Sequence, residues 1–399
     1  MEFQYTPEQE AYRQQFVSWL DENLPEDTNV GTDVEGCQKY KDFQRRLFDA
    51  GYAGVHYPKE YGGQGQSLIE EVIVTQVLAE RCVLLRFPGI ITHGMAMPVI
   101  YNCGTEEQKK TFMPKILEGT HIWCQGFSEP DAGSDVVNVN TRAVKEGDHY
   151  VVNGQKVWTT VAHASDYCLL LVNTDPSGPK HKSLSYLLVD MRLPGVEARP
   201  MPQITREPEF NEVFFDNVKV PADMLVAKEG QGWMIAITTL MFERTLGDVT
   251  TGTAYCSNFE SMLEMAGQAM RSGKPALEDP IYRQQLGQAY IEIMTLKYHG
   301  LRNLSRQLGG DIPGPEGSVG KLLWSLPNQK LTEAAIGMLG SAGQIFGSTP
   351  WSIQDDRWQY SYLRSFGNTI EAGTTEIQRN IIGERVLGLP KDMSRTSRV

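Results

Sequence analysis

Metal-binding motifs, membrane-length apolar runs and an excess of basic charge are all absent from this 399-residue sequence. The six cysteines are scattered without a C-x-x-C pair, and the seven histidines form no pair on a helix face, so we expect free thiols and no metal site. No apolar run reaches the length of a membrane span. The net charge of -12 argues against nucleic acid or a membrane as a partner, because both favour a basic surface.

The amino-terminal residues also lack an apolar segment or an Arg-rich amphipathic stretch, so we expect a cytoplasmic protein. The length allows two or three domains, and 41% hydrophobic with 22% charged residues is typical of a globular enzyme. An acidic protein can still bind an anionic ligand, because a local pocket of Arg side chains and backbone N–H groups binds phosphate.

The sequence pattern changes twice along the chain. Residues 1–120 are helical, and Thr6 followed by Pro7 is typical of an N-cap and a first helical position. Residues 121–228 contain short β-type runs separated by Gly, Pro, Asn and Asp clusters, at 150–152, 168–172 and 184–189. Helical patterns return over 229–399. The sequence therefore predicts a helical, a β and a second helical domain with these boundaries.

Two segments in the β region carry unusual chemistry. Residues 127–135 are F-S-E-P-D-A-G-S-D, and residues 153–160 are N-G-Q-K-V-W-T-T. Each segment alone is equally well explained as an ordinary turn between strands. Together, in this order and spacing, and with A-G-T-T-E-I-Q-R-N-I-I at 372–382, they resemble the acyl-CoA dehydrogenase family. The resemblance extends over essentially the whole chain.

The resemblance implies an α+β chain with the acyl-CoA dehydrogenase fold: an N-terminal helical domain, a central β-barrel domain and a C-terminal four-helix bundle. It also implies FAD as the cofactor and an acyl-CoA thioester as the substrate. The expected reaction is α,β-dehydrogenation to the trans-2-enoyl-CoA, with hydride transfer to flavin N5. Electrons would then pass to an electron-transfer flavoprotein.

The family motifs also imply which residues bind the cofactor and the substrate. The expected cofactor contacts are Gln125, Phe127, Ser128, Ser134, Trp158, Thr159, Thr160, Gln344, Thr374 and Glu376. The expected substrate contacts are Ser134, Met241, Arg244 and Ala372. Hydroxyls and backbone N–H groups on a rigid sheet can stabilise a reduced flavin without adding a titrating group. An aromatic wall excludes water that would compete for the hydride.

The reaction needs a carboxylate base for the α-proton. Many family members carry Glu directly before the C-terminal Gly-Thr, but here that position is Ala372, and Glu371 comes one residue earlier. We expect an extended loop, in which neighbouring side chains point to opposite sides, so Glu371 is a doubtful replacement. The predicted base is Glu243, on the first helix after the β domain, as in the family subset that includes isovaleryl-CoA and long-chain types. The simpler alternative is a solvated Glu243–Arg244 pair.

The segment 269–273 departs from the family pattern. Many members have R-x-x-F-G there, reaching the FAD of a neighbouring subunit, whereas this chain has A-M-R-S-G. We expect a tetramer, either a homotetramer or a heterotetramer with a second acyl-CoA dehydrogenase chain, as in bacterial members acting on steroid side-chain CoA esters. A non-catalytic or half-site subunit and an oxygen-using flavoenzyme are the alternatives. The sequence does not identify the acyl group of the substrate.

Overall fold

The computed structural model describes residues 4–25, 31–81, 87–245, 247–310 and 314–391, without the side chains of 87, 242–245 and 247. Six α-helices occupy the N-terminal part: α1 (Pro7–Asn23), α2 (Val34–Asp49), α3 (Leu68–Glu80), α4 (Phe87–Ile91), α5 (Met97–Cys103) and α6 (Glu106–Leu117). A π-helical turn, Thr92–Ala96, joins α4 to α5. Thr6 begins α1 through a capping box with Gln9, as the sequence predicts, because each side chain satisfies an N–H group at the helix start.

Seven strands form the central sheet: β1 (Trp123–Gly126), β2 (Arg142–Glu146), β3 (His149–Lys156), β4 (Tyr167–Asn173), β5 (Leu184–Asp190), β6 (Val196–Met201) and β7 (Phe210–Pro221). The hydrogen-bonded order is β1-β4-β2-β3-β7-β6, and β5 also pairs with β4. Since β6 pairs only with β7 among the described strands, the sheet stays open. The predicted β domain is therefore a half-barrel and not a closed barrel.

The sheet is covered on both faces by apolar side chains. Strand β4 shows this best, because Leu169 and Leu171 pack into one core while Cys168, Leu170 and Val172 pack into another. Its residues 168–172 are all fully buried. A strand buried on both faces has a continuous apolar sequence, which explains the run in the sequence.

Helices return after the sheet. They are α7 (Gly232–Thr245), α8 (Gly247–Gln268), α9 (Pro280–Leu308), α10 (Gly317–Leu339), α11 (Arg357–Ser365) and α12 (Thr375–Ile381). Side chains of α8, α9, α10 and α11 share one core, in which Met262, Ile293, Ala335 and Trp358 are buried. This confirms the predicted four-helix bundle. A short hairpin, β8 (Met270–Arg271) and β9 (Lys274–Pro275), interrupts the helical pattern at a place where the sequence does not predict strands.

The chain divides into two compact units, residues 1–243 and 244–399, and the division falls inside α7. The first unit contains the N-terminal helices, the sheet and most of α7, and the second contains the bundle. Within the described residues, no helix is long and apolar enough to cross a membrane.

Candidate active site

The Ser128 loop (residues 127–134) follows β1 and exposes hydroxyl groups. Phe127 is buried and packs edge-on against Tyr186, with ring centroids 5.8 Å apart. Ser128 is half-buried and Ser134 is exposed, and neither hydroxyl makes a hydrogen bond with any residue that the structure describes. On β1 itself, the buried amide nitrogen of Gln125 likewise has no partner in the described part of the chain. β1 and this loop thus present polar groups whose hydrogen-bonding capacity the described residues leave unused.

The Trp158 turn (residues 158–161) follows β3 and has an unusual backbone. Trp158 has φ 61° and Val161 has φ 50°, in the left-handed region that a β-branched residue rarely adopts. The Trp158 ring is 59% exposed and meets the edge of Phe210 at 5.8 Å. Holding a non-glycine residue in this region raises the free energy of the fold by about 1–3 kcal/mol. Such a conformation persists only where surrounding contacts enforce it. This conformation keeps a large aromatic ring at the surface.

Within this turn, Thr159 differs from its neighbours. Its side chain is fully buried, whereas Thr160 is half-buried and Trp158 is exposed. Its N–H group donates to the carbonyl of Asn211 at 3.0 Å, and its carbonyl accepts from the Asn211 N–H at 3.0 Å. The Thr159 hydroxyl is buried without a partner among the described residues, as the Gln125 amide nitrogen is, so its predicted cofactor contact remains a prediction. Trp158 and Thr160 remain able to reach a ligand.

A buried ion pair connects the Ser128 loop to β3. The Nζ of Lys156 donates to Glu129 Oε1 at 2.8 Å and to the Phe127 carbonyl at 3.0 Å. Glu129 also accepts from the N–H groups of Asn140 at 2.6 Å and Thr141 at 2.8 Å. Because these bonds join both segments, they fix the distance between the Ser128 loop and the Trp158 turn.

Both members of this pair are charged at neutral pH. Burial lowers the pKa of Lys156 to about 8, although the Glu129 carboxylate opposes the shift. Burial raises the pKa of Glu129, but the ammonium group and the hydrogen bonds outweigh it and hold that pKa below its usual range. The pair contributes no net charge beside the exposed hydroxyls.

Helix α7 packs on the sheet beside the Ser128 loop. Thr239 is fully buried, and its hydroxyl lies 3.2 Å from the hydroxyl of Tyr186, the ring that contacts Phe127. Met241 is half-buried on the same helix. Glu243, the predicted base, and Arg244 lie on α7, but their side chains are outside the described residues. Position 243 follows Thr239 by four residues, so it lies on the same helix face, one turn on.

In the second unit, the loop before α12 carries Ala372. Ala372 and Gly373 have φ 54° and 81°, so the loop is not extended as we expected. The Ala372 N–H makes no hydrogen bond with any described residue. Thr374 caps α12 by accepting from the Ile377 N–H at 3.3 Å, and Glu376 is exposed in the first turn.

Glu371 is bound within the same unit. One carboxylate oxygen pairs with Arg364 at 2.7 Å, and the other accepts from the Asn368 amide at 2.7 Å. Arg364 is 9% exposed. The reason to reject Glu371 as the base is therefore this ion pair, and the extended-loop argument was wrong.

The segment that departs from the family pattern forms a two-residue hairpin. Ser272 and Gly273 have φ 50° and 82°, as a tight turn between paired strands requires. The guanidinium of Arg271 lies against Gly340, where a Cβ atom would collide with it. Gly340 begins the short 3-10 segment that ends at the exposed Gln344. Arg271 therefore lies at the start of the segment that contains Gln344.

Three family models match the chain: Acyl-CoA dehydrogenase N-terminal domain over residues 6–120, middle domain over 124–218 and C-terminal domain over 230–387. The chain is 36% identical to the acyl-CoA dehydrogenase IpdE1 of Mycobacterium tuberculosis over 393 residues, covering 96% of this chain and 98% of the relative. It belongs to the acyl-CoA dehydrogenase family. Members of this family are FAD-containing oxidoreductases that act on acyl-CoA, so the predicted enzyme class and cofactor are confirmed.

Two solved structures are similar over the full length. One is described as the Tcur3481-Tcur3483 steroid ACAD, with TM-score 0.87, 27% identity and coverage of 98% of this chain and 100% of that chain. The other is the ChsE4-ChsE5 complex from Mycobacterium tuberculosis, with TM-score 0.84, 28% identity and the same coverage.

The residues of the first unit fit an isoalloxazine ring. The Ser128 and Thr160 hydroxyls and the orphaned Gln125 amide are polar groups without partners among the described residues. Trp158 adds a large exposed aromatic surface next to them. A flat, partly polar ring can use each of these groups. Sequence reasoning missed Lys156, Glu129 and Asn211, although Lys156 and Glu129 stand inside the two family motifs.

Proposed function

We propose that this chain converts an acyl-CoA thioester to the trans-2-enoyl-CoA, with Glu243 removing the α-proton. FAD supplies the hydride acceptor for the β-hydrogen. The observation that carries the proposal is the pair of segments joined by Lys156 and Glu129, which present an exposed Trp ring and hydroxyls that have no partner among the described residues. The proposed cofactor contacts in this unit are Gln125, Phe127, Ser128, Ser134, Trp158, Thr159 and Thr160.

Two observations support Glu243 as the base. Its position on α7 is one turn beyond Thr239, whose hydroxyl lies 3.2 Å from the hydroxyl of Tyr186, and the Tyr186 ring packs on Phe127 of the Ser128 loop. The competing carboxylate, Glu371, is paired with Arg364 and Asn368. A base that already accepts two strong hydrogen bonds is a poor proton acceptor, because both favour its ionised form. We propose Met241 and Arg244, on the same helix, as substrate contacts.

The second unit offers donors for the thioester and for FAD. The unpartnered Ala372 N–H is suited to a thioester carbonyl, since hydrogen bonds to that oxygen strengthen as negative charge develops. Thr374 at the start of α12, with Glu376 and Gln344, is proposed to contact FAD. Arg271 adds a positive charge beside Gly340, the first residue of the 3-10 segment that contains Gln344.

The acyl group and the partners are proposed from the relatives. A structure described as a steroid ACAD shares 27% identity and TM-score 0.87, so we propose a bulky, steroid-derived acyl group.

We propose an electron-transfer flavoprotein as the electron acceptor. We also propose a cytoplasmic location, which agrees with free thiols at all five described cysteines. The domain boundaries 1–120, 121–228 and 229–399 also remain proposals.

The test is a rate survey of the purified chain over CoA thioesters of short straight, branched and steroid side-chain acids, with an artificial electron acceptor. We expect a product lighter by two hydrogens, formed fastest from the steroid-type thioester. Turnover of none of these thioesters, by a chain that retains its FAD, would overturn the proposal.

A second candidate is a half-site subunit of a heteromeric dehydrogenase. The segment 269–273 favours it, because Ala269 and Ser272 stand where many members have Arg and Phe. The ChsE4-ChsE5 structure is a complex of two named chains, which makes a heterotetramer the alternative to a homotetramer. FAD per chain and mass in solution distinguish them: an active homotetramer with one FAD per chain excludes the half-site subunit.

A further inference from the structure

Gly94 lies in the π-helical turn Thr92–Ala96 and leaves a space that the neighbouring side chains do not fill. A Cβ atom at this position would meet no atom of the described residues within 4 Å. Apart from Gly94 and His93, which are half-buried, all residues from 91 to 100 are buried. The buried segment therefore has a recess beside Gly94, and single π-helical turns are frequent at functional sites.

The backbone does not explain why this residue is a glycine. Its φ lies outside the left-handed region, so any L-residue can adopt the conformation. No close approach requires it either. Gly36 on α2 is different, because a Cβ atom there would lie 2.0 Å from the Gly31 carbonyl oxygen. Since glycine is less stable than alanine inside a helix, the volume that Gly94 leaves open is itself the reason for the residue.

The recess has an apolar wall. Ile90 stands four residues before Gly94, so the two positions share one face of the helical segment. Ile90 is 42% exposed, which is high for a large aliphatic side chain in this part of the chain. A hydrocarbon group that enters the recess would remove this surface from water, which is favourable. The recess is therefore suited to an apolar ligand.

A hydrogen bond joins the π-helical turn to the strand that leads into the candidate active site. Thr92 is fully buried, and its Oγ1 accepts from the N–H of Trp123, at the start of β1, at 3.1 Å. With a rise of about 3.3 Å per residue, Gln125 lies about 7 Å along the strand and the start of the Ser128 loop about 13 Å. A short acyl group beside the Ser128 loop does not extend over this distance, whereas a fused-ring acyl group does.

We propose that Gly94 is the residue that determines the size of the acyl group: the recess beside it receives the far end of a bulky, fused-ring acyl group. The inference rests on the proposed function, because it requires an acyl-CoA bound beside the Ser128 loop. Met95 and Ala96 pack in the same apolar core as Phe127 of that loop, so the recess and the site share a densely packed wall. A larger residue at position 94 fills the recess and excludes the bulky group, but not a short one.

The test compares two CoA thioesters, one steroid-type and one short and straight, in the full-length holoenzyme. One carbon in an apolar pocket changes discrimination by about 10–200-fold, so Gly94→Ala should lower kcat/KM for the steroid-type thioester about tenfold. Gly94→Leu should lower it by at least about 10²-fold. For the short thioester, kcat/KM should stay near the wild-type value in both variants, because its acyl group does not reach the recess.

The matched control is Gly287→Leu on α9. A Cβ atom at Gly287 also meets no atom of the described residues within 4 Å. Both leucine variants should unfold at or above the wild-type temperature, because leucine is a better helix former than glycine. Gly287→Leu should keep the wild-type ratio of kcat/KM for the two thioesters. Thermal unfolding therefore separates a loss of selectivity from a loss of folding.

An unchanged ratio of kcat/KM in Gly94→Leu, or an equal loss for both thioesters, overturns this inference alone. A wild-type chain that uses only the short thioester does so as well. If Gly94→Leu does not fold, Gly94→Ala decides, and an unchanged ratio in that variant overturns the inference. A wild-type chain that retains FAD but converts neither thioester overturns the proposed function and the inference together.

Discussion

Replacing Lys156 by Met should destabilise the first unit more than any surface change, because it leaves Glu129 ionised in a buried site. Lys156 is fully buried and Glu129 is 7% exposed. Breaking a buried ion pair by removing one partner costs about 3–5 kcal/mol. The two N–H groups that still bond Glu129 limit the loss but cannot neutralise the charge.

The assay is thermal unfolding of the holoenzyme, followed by far-UV circular dichroism and by flavin release. The midpoint shifts by about 2–4 °C per kcal/mol for a unit of this size, so Lys156→Met should lower the unfolding midpoint by roughly 6–20 °C. We expect the variant to release FAD before its secondary structure is lost. The control is Lys39→Met, which breaks an exposed ion pair with Glu35 worth about 0.5 kcal/mol at most.

The double variant Glu129→Gln with Lys156→Met tests whether charge is the cause. The N–H groups of Asn140 and Thr141 bond different oxygens of Glu129, so the single Gln oxygen can accept only one of them. The double variant removes the unpaired buried charge, however, and should therefore still be more stable than Lys156→Met alone. If Lys156→Met unfolds like Lys39→Met, or if the double variant is no better than the single one, the reasoning about this pair is refuted.

Three further predictions concern the other parts of the site. Trp158→Ala should weaken FAD retention and change the visible flavin spectrum; an unchanged spectrum and FAD content would exclude Trp158 as a contact. Glu371→Gln should lower thermal stability, because Arg364 loses its ionic partner, yet keep flavin reduction by acyl-CoA; loss of reduction with intact folding would contradict the choice of base. Sedimentation with FAD quantification should give one FAD per chain in a homotetramer, and a flavin-poor, inactive chain would instead favour the half-site subunit.

The sequence predicts those features of this chain that depend on local pattern. The apolar run at 168–172 became β4, and Thr6 with Pro7 began α1. The family motifs identified the Ser128 loop and the Trp158 turn, because both are continuous segments.

Contacts between distant residues could not be predicted in this way. Lys156 and Glu129 are 27 residues apart, and His163 and Thr32 are 131 residues apart. Their pairing depends on how β3, β7 and α2 pack, which no local pattern contains. The burial of Thr159 could not be predicted either. The motif predicts that this residue lies in a turn, but which side chain of the turn is buried depends on the left-handed backbone of Trp158.

The most direct test of the central claim is the rate at which acyl-CoA reduces the bound flavin in Glu243→Gln. Under anaerobic stopped-flow conditions, the variant should keep its FAD and its absorbance spectrum, and its flavin reduction should be at least ~10³-fold slower than wild type, within the range of general-base catalysis. Glu260→Gln, at an exposed position on α8, is the control and should reduce normally. Near-normal reduction in Glu243→Gln would contradict the account.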